Sequence, residues 1–70
     1  MKLSARNQLP GTVRSVKLGT VMAEVVVQLD GGGEVVSAIT ANSVRNLEIQ
    51  EGSRVVVVVK ATEVMLGREE

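Results

Sequence analysis

Seventy residues are room for one small domain, and this chain has no cysteine, no histidine and no aromatic residue. That excludes disulfides, thiolate or imidazole metal sites, and any nucleophile–base pair built on Cys or His. Eight basic and eight acidic side chains cancel, so the basic excess of a bulk nucleic-acid or acidic-membrane binder is missing.

A domain this short removes only about 60% of its unfolded surface from water and needs some staple. With disulfides and thiolate metal sites excluded, oligomerisation is the staple left. Valine dominates the apolar residues; it is stiff at its first side-chain torsion and favours strands. Met1–Arg6 lacks the apolar stretch of a signal peptide, and no segment approaches the roughly 20 apolar residues that span a bilayer. The cytoplasm is therefore the expected location, with no membrane and no nucleic acid as partner.

In chain order, Leu3–Leu9 reads as a short strand stopped by Pro10 and Gly11. Thr12–Lys17 continues extended, with Val13 and Val16 as apolar anchors, and Gly19 marks a turn. Thr20–Leu29 reads as a strong strand. Asp30-Gly31-Gly32-Gly33 is a hairpin tip, where glycine supplies the positive φ such turns need. Glu34–Ile39 is the returning strand. Thr40 is a favoured N-cap for a helix over Ala41–Leu47, with Val44 and Leu47 on one face. Gly52 turns the chain into Arg54–Lys60, whose centre is five consecutive valines, Val55–Val59. Thr62–Leu66 is read as a last strand and Gly67–Glu70 as a frayed polar tail.

This order predicts a single all-β domain with one short helix: a small five-stranded OB-like Greek-key barrel. The valine run adds a second expectation. A strand with one wet face alternates apolar and polar residues, whereas five valines are apolar on both faces. One face fills the barrel. The other needs cover, either from another subunit or from the helix or tail of the same chain.

No enzymatic constellation emerges. The carboxylates Asp30, Glu34, Glu48, Glu51, Glu63, Glu69 and Glu70 fall mostly in turns, helix ends or the tail, and Glu24 in a strand; none forms an acid–base pair. The triple glycine lacks the Gly-Lys-Ser/Thr of a P-loop. Three places hold donors instead. Ser4 and Arg6, two apart in an extended segment, offer a hydroxyl and a guanidinium fork to one side; an edge-strand surface arginine is the plainer reading. Thr40, Ala41 and Ser43 open the helix, where backbone N–H groups lack helical partners and attract anions; an ordinary Thr40 cap on the Ser43 amide is the plainer reading. Lys60 and Ala61 close the valine strand, as a solvated strand end or as an ammonium and an N–H at the mouth of a site. Two cations among hydroxyls and amides suit a deprotonated tetrahedral oxyanion and not a bare metal cation.

The segments Ser4-Ala5-Arg6-Asn7-Gln8-Leu9 with Gly11 and Val13, Ile39-Thr40-Ala41-Asn42-Ser43-Val44, and Val59-Lys60-Ala61-Thr62-Glu63-Val64-Met65 resemble the motifs of the molbindins, or Mop domains. The resemblance spans essentially the whole chain. It implies a stand-alone OB-like domain that pairs into dimers, three of which form a hexamer. It also implies binding of molybdate, often tungstate as well, for storage or homeostasis, without catalysis and without a cofactor. Carried over by position, Ser4 and Arg6 of one chain would meet Thr40, Ala41, Ser43, Lys60 and Ala61 of another. Many relatives have serine at position 61, so here only the backbone N–H would serve. Further oxyanion sites near symmetry axes are implied too, with the turn around Lys17 and Gly19 as a candidate. Two rival readings are an OB-type nucleic-acid binder, which would need aromatics and a positive groove, and a ligand-free oligomerisation module.

Overall fold

A computed structural model describes residues 1–69. Its elements are β1 (Asn7–Leu18), β2 (Met22–Leu29), β3 (Glu34–Thr40), a short helix α1 (Ala41–Asn46), β4 (Arg54–Val59) and a 3-10 turn over Ala61–Glu63. All strand pairs are antiparallel, in the order β3-β2-β1-β4. The result is mostly β with one short helix: a curled four-stranded sheet that makes an OB-like half-barrel.

β1 is the spine, paired to β2 on one side and to β4 on the other. Pro10 and Gly11 do not interrupt it, contrary to the sequence expectation. Pro10 faces Val56 of β4, and its carbonyl accepts from the Asp30 amide. The N and C=O of a strand residue point to the same side, so the missing N–H faces the β2–β3 turn. The β1–β2 ladder starts only at the next pair, Gly11↔Leu29, and proline therefore removes no ladder bond. The strand also begins later than Leu3, at Asn7. Its partner there is Val59, the last residue of β4, so Ser4–Arg6 have no facing strand.

The register shifts between Val13 and Ser15, leaving Arg14 as an extra residue in β1. Such a bulge bends its strand and increases the twist. It also explains how Val13 and Val16, three apart, both turn inward beside Val27 and Val25. The core on this concave face consists of Val13, Ala23, Val25 and Val27 with Val44 of α1 packed over them, and Val55, Val57 and Ile39 half-buried beside it. Each is small or β-branched, so the half-barrel curls tightly without aromatics.

The glycine hairpin forms as expected, with Gly32 and Gly33 at φ 101° and 85°. The helix ends one residue short of Leu47, which becomes its C-cap. Val44 is buried, but Leu47 is 67% exposed, so the expected shared face is only half covered within the chain. The valine strand behaves as its composition requires: Val55, Val57 and Val59 are half-buried inward, while Val56 and Val58 remain exposed.

Thr62–Leu66 is not a strand of this sheet. The chain turns at Ala61–Glu63 through Glu63 N–H to Lys60 C=O and Val64 N–H to Ala61 C=O bonds. It then leaves the sheet edge with Met65 and Leu66 exposed. The fifth strand of the expected barrel is therefore missing from it. Gly67–Glu69 carry no helix or strand, and Glu70 lies outside the described residues. No helix among the described residues is long and apolar enough to cross a membrane.

At the hairpin end, Arg54 of β4 binds Asp30 through two parallel bonds of 2.7 and 2.6 Å and also donates to Thr12 at 2.8 Å. This fork ties the β2–β3 turn to the far edge strand. A second pair joins Arg14 of β1 to Glu34 of β3. The Arg54 hydrogen bond holds the Asp30 carboxyl below its ordinary value. A lowered carboxyl contributes stability that is complete above the unfolded range, near 3.9, and lost as pH falls through the lower folded value. Asp30→Asn is accordingly expected to lower the denaturation midpoint at neutral pH. The gap to wild type should close below the carboxylate range. An unchanging gap across an acid titration would mean that the fork contributes nothing.

Candidate functional site

The start of β1 and the end of β4 adjoin through the Asn7↔Val59 pair. Arg6 is therefore carried next to Lys60 by the ladder itself. Around this junction lies an open cavity of about 360 Å³ lined by Ser4, Ala5, Arg6, Lys60, Ala61 and Thr62. The 3-10 turn that begins after Lys60 folds Ala61 and Thr62 over one side. The segment ahead of β1 is held by Gln8, whose side-chain amide donates to the Ala5 carbonyl at 2.7 Å.

Chemically the lining offers donors: the Arg6 guanidinium, the Lys60 ammonium, the hydroxyls of Ser4 and Thr62, and backbone N–H groups. The only ion pairs among the described residues are Arg14–Glu34 and Arg54–Asp30, so among these residues neither Arg6 nor Lys60 has an anionic partner. No carboxylate lines the cavity. Two adjacent unpaired cations with hydroxyl donors are suited to a small dianion, because charge-assisted hydrogen bonds are the strong ones. No cluster of three or more His, Cys, Asp or Glu side chains that could hold a metal ion occurs among the described residues.

Four of the residues singled out in the sequence, Ser4, Arg6, Lys60 and Ala61, thus share one cavity within one chain. The resemblance had placed the first two and the last two on different subunits. Ala5 and Thr62 also line it and were not singled out. Thr62 could have been found, since its hydroxyl follows Lys60-Ala61 directly.

Thr40, Ala41 and Ser43 lie elsewhere. Thr40 closes β3, one edge of the open sheet, and Ala41 and Ser43 open α1, whereas Lys60 follows the end of β4, the other edge. Their donors are also largely engaged. Thr40 Oγ1 accepts from the Ser43 amide at 3.0 Å and contacts Ser43 Oγ at 2.7 Å. The Ala41 amide donates to the Val21 carbonyl at 2.7 Å, and Ala41 is only 1% exposed. The helix start is therefore first a well-made cap, and the Ala41 and Ser43 amides, expected to lack helical partners, are both used. The hydroxyls can still reorient, since either can be the donor in their mutual bond.

The turn at Lys17 and Gly19 borders another cavity of about 360 Å³, with Leu18, Met22, Ala23, Glu24 and Ala38. Lys17 is paired across the strands with Glu24. That carboxylate would oppose an anion, so this turn lacks the one-sided charge of the first cavity.

The fold and site together define a class: a small OB-like half-barrel whose mouth is lined by donors and no acceptor charge. Residues 3–66 match the TOBE domain. Molybdenum-pterin-binding protein 3 of Clostridium pasteurianum is 47% identical over 66 residues, covering 94% of this chain and 97% of that one. MopII from the same organism, solved in an apo form, superposes with a TM-score of 0.91 at 45% identity, over 96% of this chain and 100% of that one. A molybdate-binding protein from Sporomusa ovata superposes with a TM-score of 0.90 at 44% identity, over 97% of this chain and 100% of that one. The chain belongs to the TOBE domain family, in its molbindin or Mop branch.

Proposed function

We propose that this protein binds molybdate, and tungstate as its near-isosteric equivalent, for storage or buffering in the cytoplasm, and that it catalyses nothing. The observation that carries the reading is the cavity at the β1–β4 junction: Arg6 and Lys60 beside the hydroxyls of Ser4 and Thr62, with no ion-pair partner for either cation and no carboxylate in the walls among the described residues. Relatives described as molybdate-binding and molybdenum-pterin-binding proteins support the choice of oxyanion. A pterin as the ligand is disfavoured for this chain, which has no aromatic ring to stack on one.

The cavity is open on one side within a single chain. Desolvating two cations and a dianion is costly unless geometry and further hydrogen bonds offset it. A second copy closes the site in our reading, with its Thr40 and Ser43 hydroxyls completing the shell, and the chain assembles as a hexamer built from three dimers. Sulfate carries the same charge on shorter bonds, so selectivity rests on the size of the closed cavity.

Calorimetric titration with molybdate, with sulfate as control, tests the reading. Saturable heat for molybdate alone is expected; identical responses to both anions would remove it. Ligand that binds only the folded form also raises stability by mass action, by about 1.4 kcal/mol at ten times Kd. A melting-temperature rise of several degrees should therefore accompany binding. Native mass measurement under the same conditions reads the assembly.

A further inference from the structure

The two sides of the anion cavity are held very differently. Lys60, Ala61 and Thr62 belong to the 3-10 turn, closed by the Lys60–Glu63 and Ala61–Val64 backbone bonds. Ser4 and Arg6 lie on a segment that precedes β1, and no backbone hydrogen bond ties residues 1–6 to the rest of the chain among the described residues. The backbone bends at Ser4 and again at Arg6, just before the ladder begins at Asn7. One hydrogen bond spans the second bend: Gln8 Nε2 donates to the Ala5 carbonyl at 2.7 Å. Gln8 itself sits within β1, opposite Val58 of β4, so this bond joins the fixed sheet to the loose segment.

We propose that Gln8 is a positioning residue for the oxyanion: its side-chain amide holds the bend that presents Ser4 and Arg6 to the cavity. This deepens the molybdate reading above and rests on it. Gln8 is not among the residues that line the cavity, so it acts through its neighbours. The bond encloses Arg6 and Asn7 between its two ends. It fixes the Ala5 carbonyl, and with it the plane of the Ala5–Arg6 peptide, from which the Arg6 side chain departs. A segment without this anchor keeps backbone freedom that the ligand must then remove. Affinity falls by the fraction of molecules in which the bend is ready.

The residue type suits the task. A backbone carbonyl only accepts, so the anchor must donate. An ionised Asp or Glu could not donate, and a lysine would add a third cation to Arg6 and Lys60. The glutamine amide donates at every pH and leaves the charge of the site unchanged.

The test uses the full-length protein with Gln8→Met, which keeps the length and loses the donor, and Gln8→His at pH 8, where a neutral imidazole supplies an Nε2–H instead. Backbone ¹⁵N relaxation without ligand is the first readout. Order at Ala5 and Arg6 is expected to drop in Gln8→Met and return in Gln8→His, with the melting temperature of both near wild type. Calorimetric titration with molybdate is the second. Gln8→Met should bind about 2- to 10-fold more weakly, the factor one ordinary hydrogen bond contributes, and Gln8→His should recover most of the loss. The third is the same substitution in an Arg6→Ala background, where the penalty should shrink because one of the two positioned groups is gone. Unchanged order in Gln8→Met, unchanged affinity, no recovery in Gln8→His, or a full penalty without Arg6 would each overturn the proposal. Wild type that takes up no molybdate removes the functional reading instead, and the relaxation data alone then decide whether Gln8 holds the bend.

Discussion

Arg6→Ala is expected to weaken molybdate binding roughly 10- to 150-fold while leaving the fold intact. The magnitude is that of a hydrogen bond to a charged group, about 1.5–3 kcal/mol, converted at about 1.4 kcal/mol per decade. Stability should be untouched, because the Arg6 side chain is exposed and makes no ion pair or side-chain hydrogen bond among the described residues. Surface changes away from such features usually stay within about 0.5 kcal/mol. Arg6→Lys distinguishes charge from shape. It keeps the positive charge but loses the planar fork, and should fall between wild type and alanine. Lys60→Ala should lose affinity in the same direction, and its effect should not simply add to that of Arg6→Ala, since both line one cavity and in the proposed reading face one ligand. Calorimetry that finds Arg6→Ala as tight as wild type would show that the anion binds elsewhere.

Much of the frame was legible because local chemistry and tertiary structure agree there. The Asp30–Gly33 tip needs positive φ at Gly32 and Gly33, and its glycines announce it. Thr40 caps the helix through the Ser43 amide, as its residue type suggests. The misreadings occur where a residue's local rule gives way to its position in the sheet. Pro10 breaks strands only where its N–H is needed, and here it faces a stretch where β2 has not begun to pair. Val13 and Val16 cannot share a face in a regular strand; the extra residue at Arg14 makes it possible, and a bulge leaves little mark in sequence. The Thr62–Leu66 segment has a strand's composition, but a strand requires an edge to pair with, and the turn at Ala61–Glu63 leads the chain away from its own. Of the candidate site, the residue types were legible and their arrangement was not. Ser4, Arg6, Lys60 and Ala61 converge because Asn7 and Val59 are ladder partners, a long-range fact that neither segment states alone. Resemblance supplied the motifs; only the register shows that the first and last of them meet within one chain.

Gly11→Ala is expected to cost about 1–3 kcal/mol, the usual range for overpacking a filled interior. At about 4–8 °C of melting temperature per kcal/mol for a domain of this size, the loss is easily read by calorimetry or circular dichroism. Gly11 sits where β1 is paired on both sides, to Leu29 of β2 and to Val55 of β4. A Cβ built there would lie 2.5 Å from the Gln28 carbonyl oxygen and 2.7 Å from Val27 Cγ1. The valine methyl could rotate, but the carbonyl is part of the sheet backbone and yields only if β2 moves away from β1. Gly31→Ala is the matched control. Nothing lies within 4 Å of its Cβ position and its φ is not positive, so the substitution should be neutral or stabilise slightly by restricting the unfolded chain. Equal stability of the two variants would mean that the close approach at Gly11 is relieved without cost. If the cost is real, it should reach function as well. Gly11 lies in β1 five residues after Arg6, which directly precedes that strand, and the β1–β4 register it sustains is what brings Arg6 to Lys60. Gly11→Ala should therefore weaken molybdate binding without touching any atom of the cavity, and high ligand concentration should restore part of the lost melting temperature.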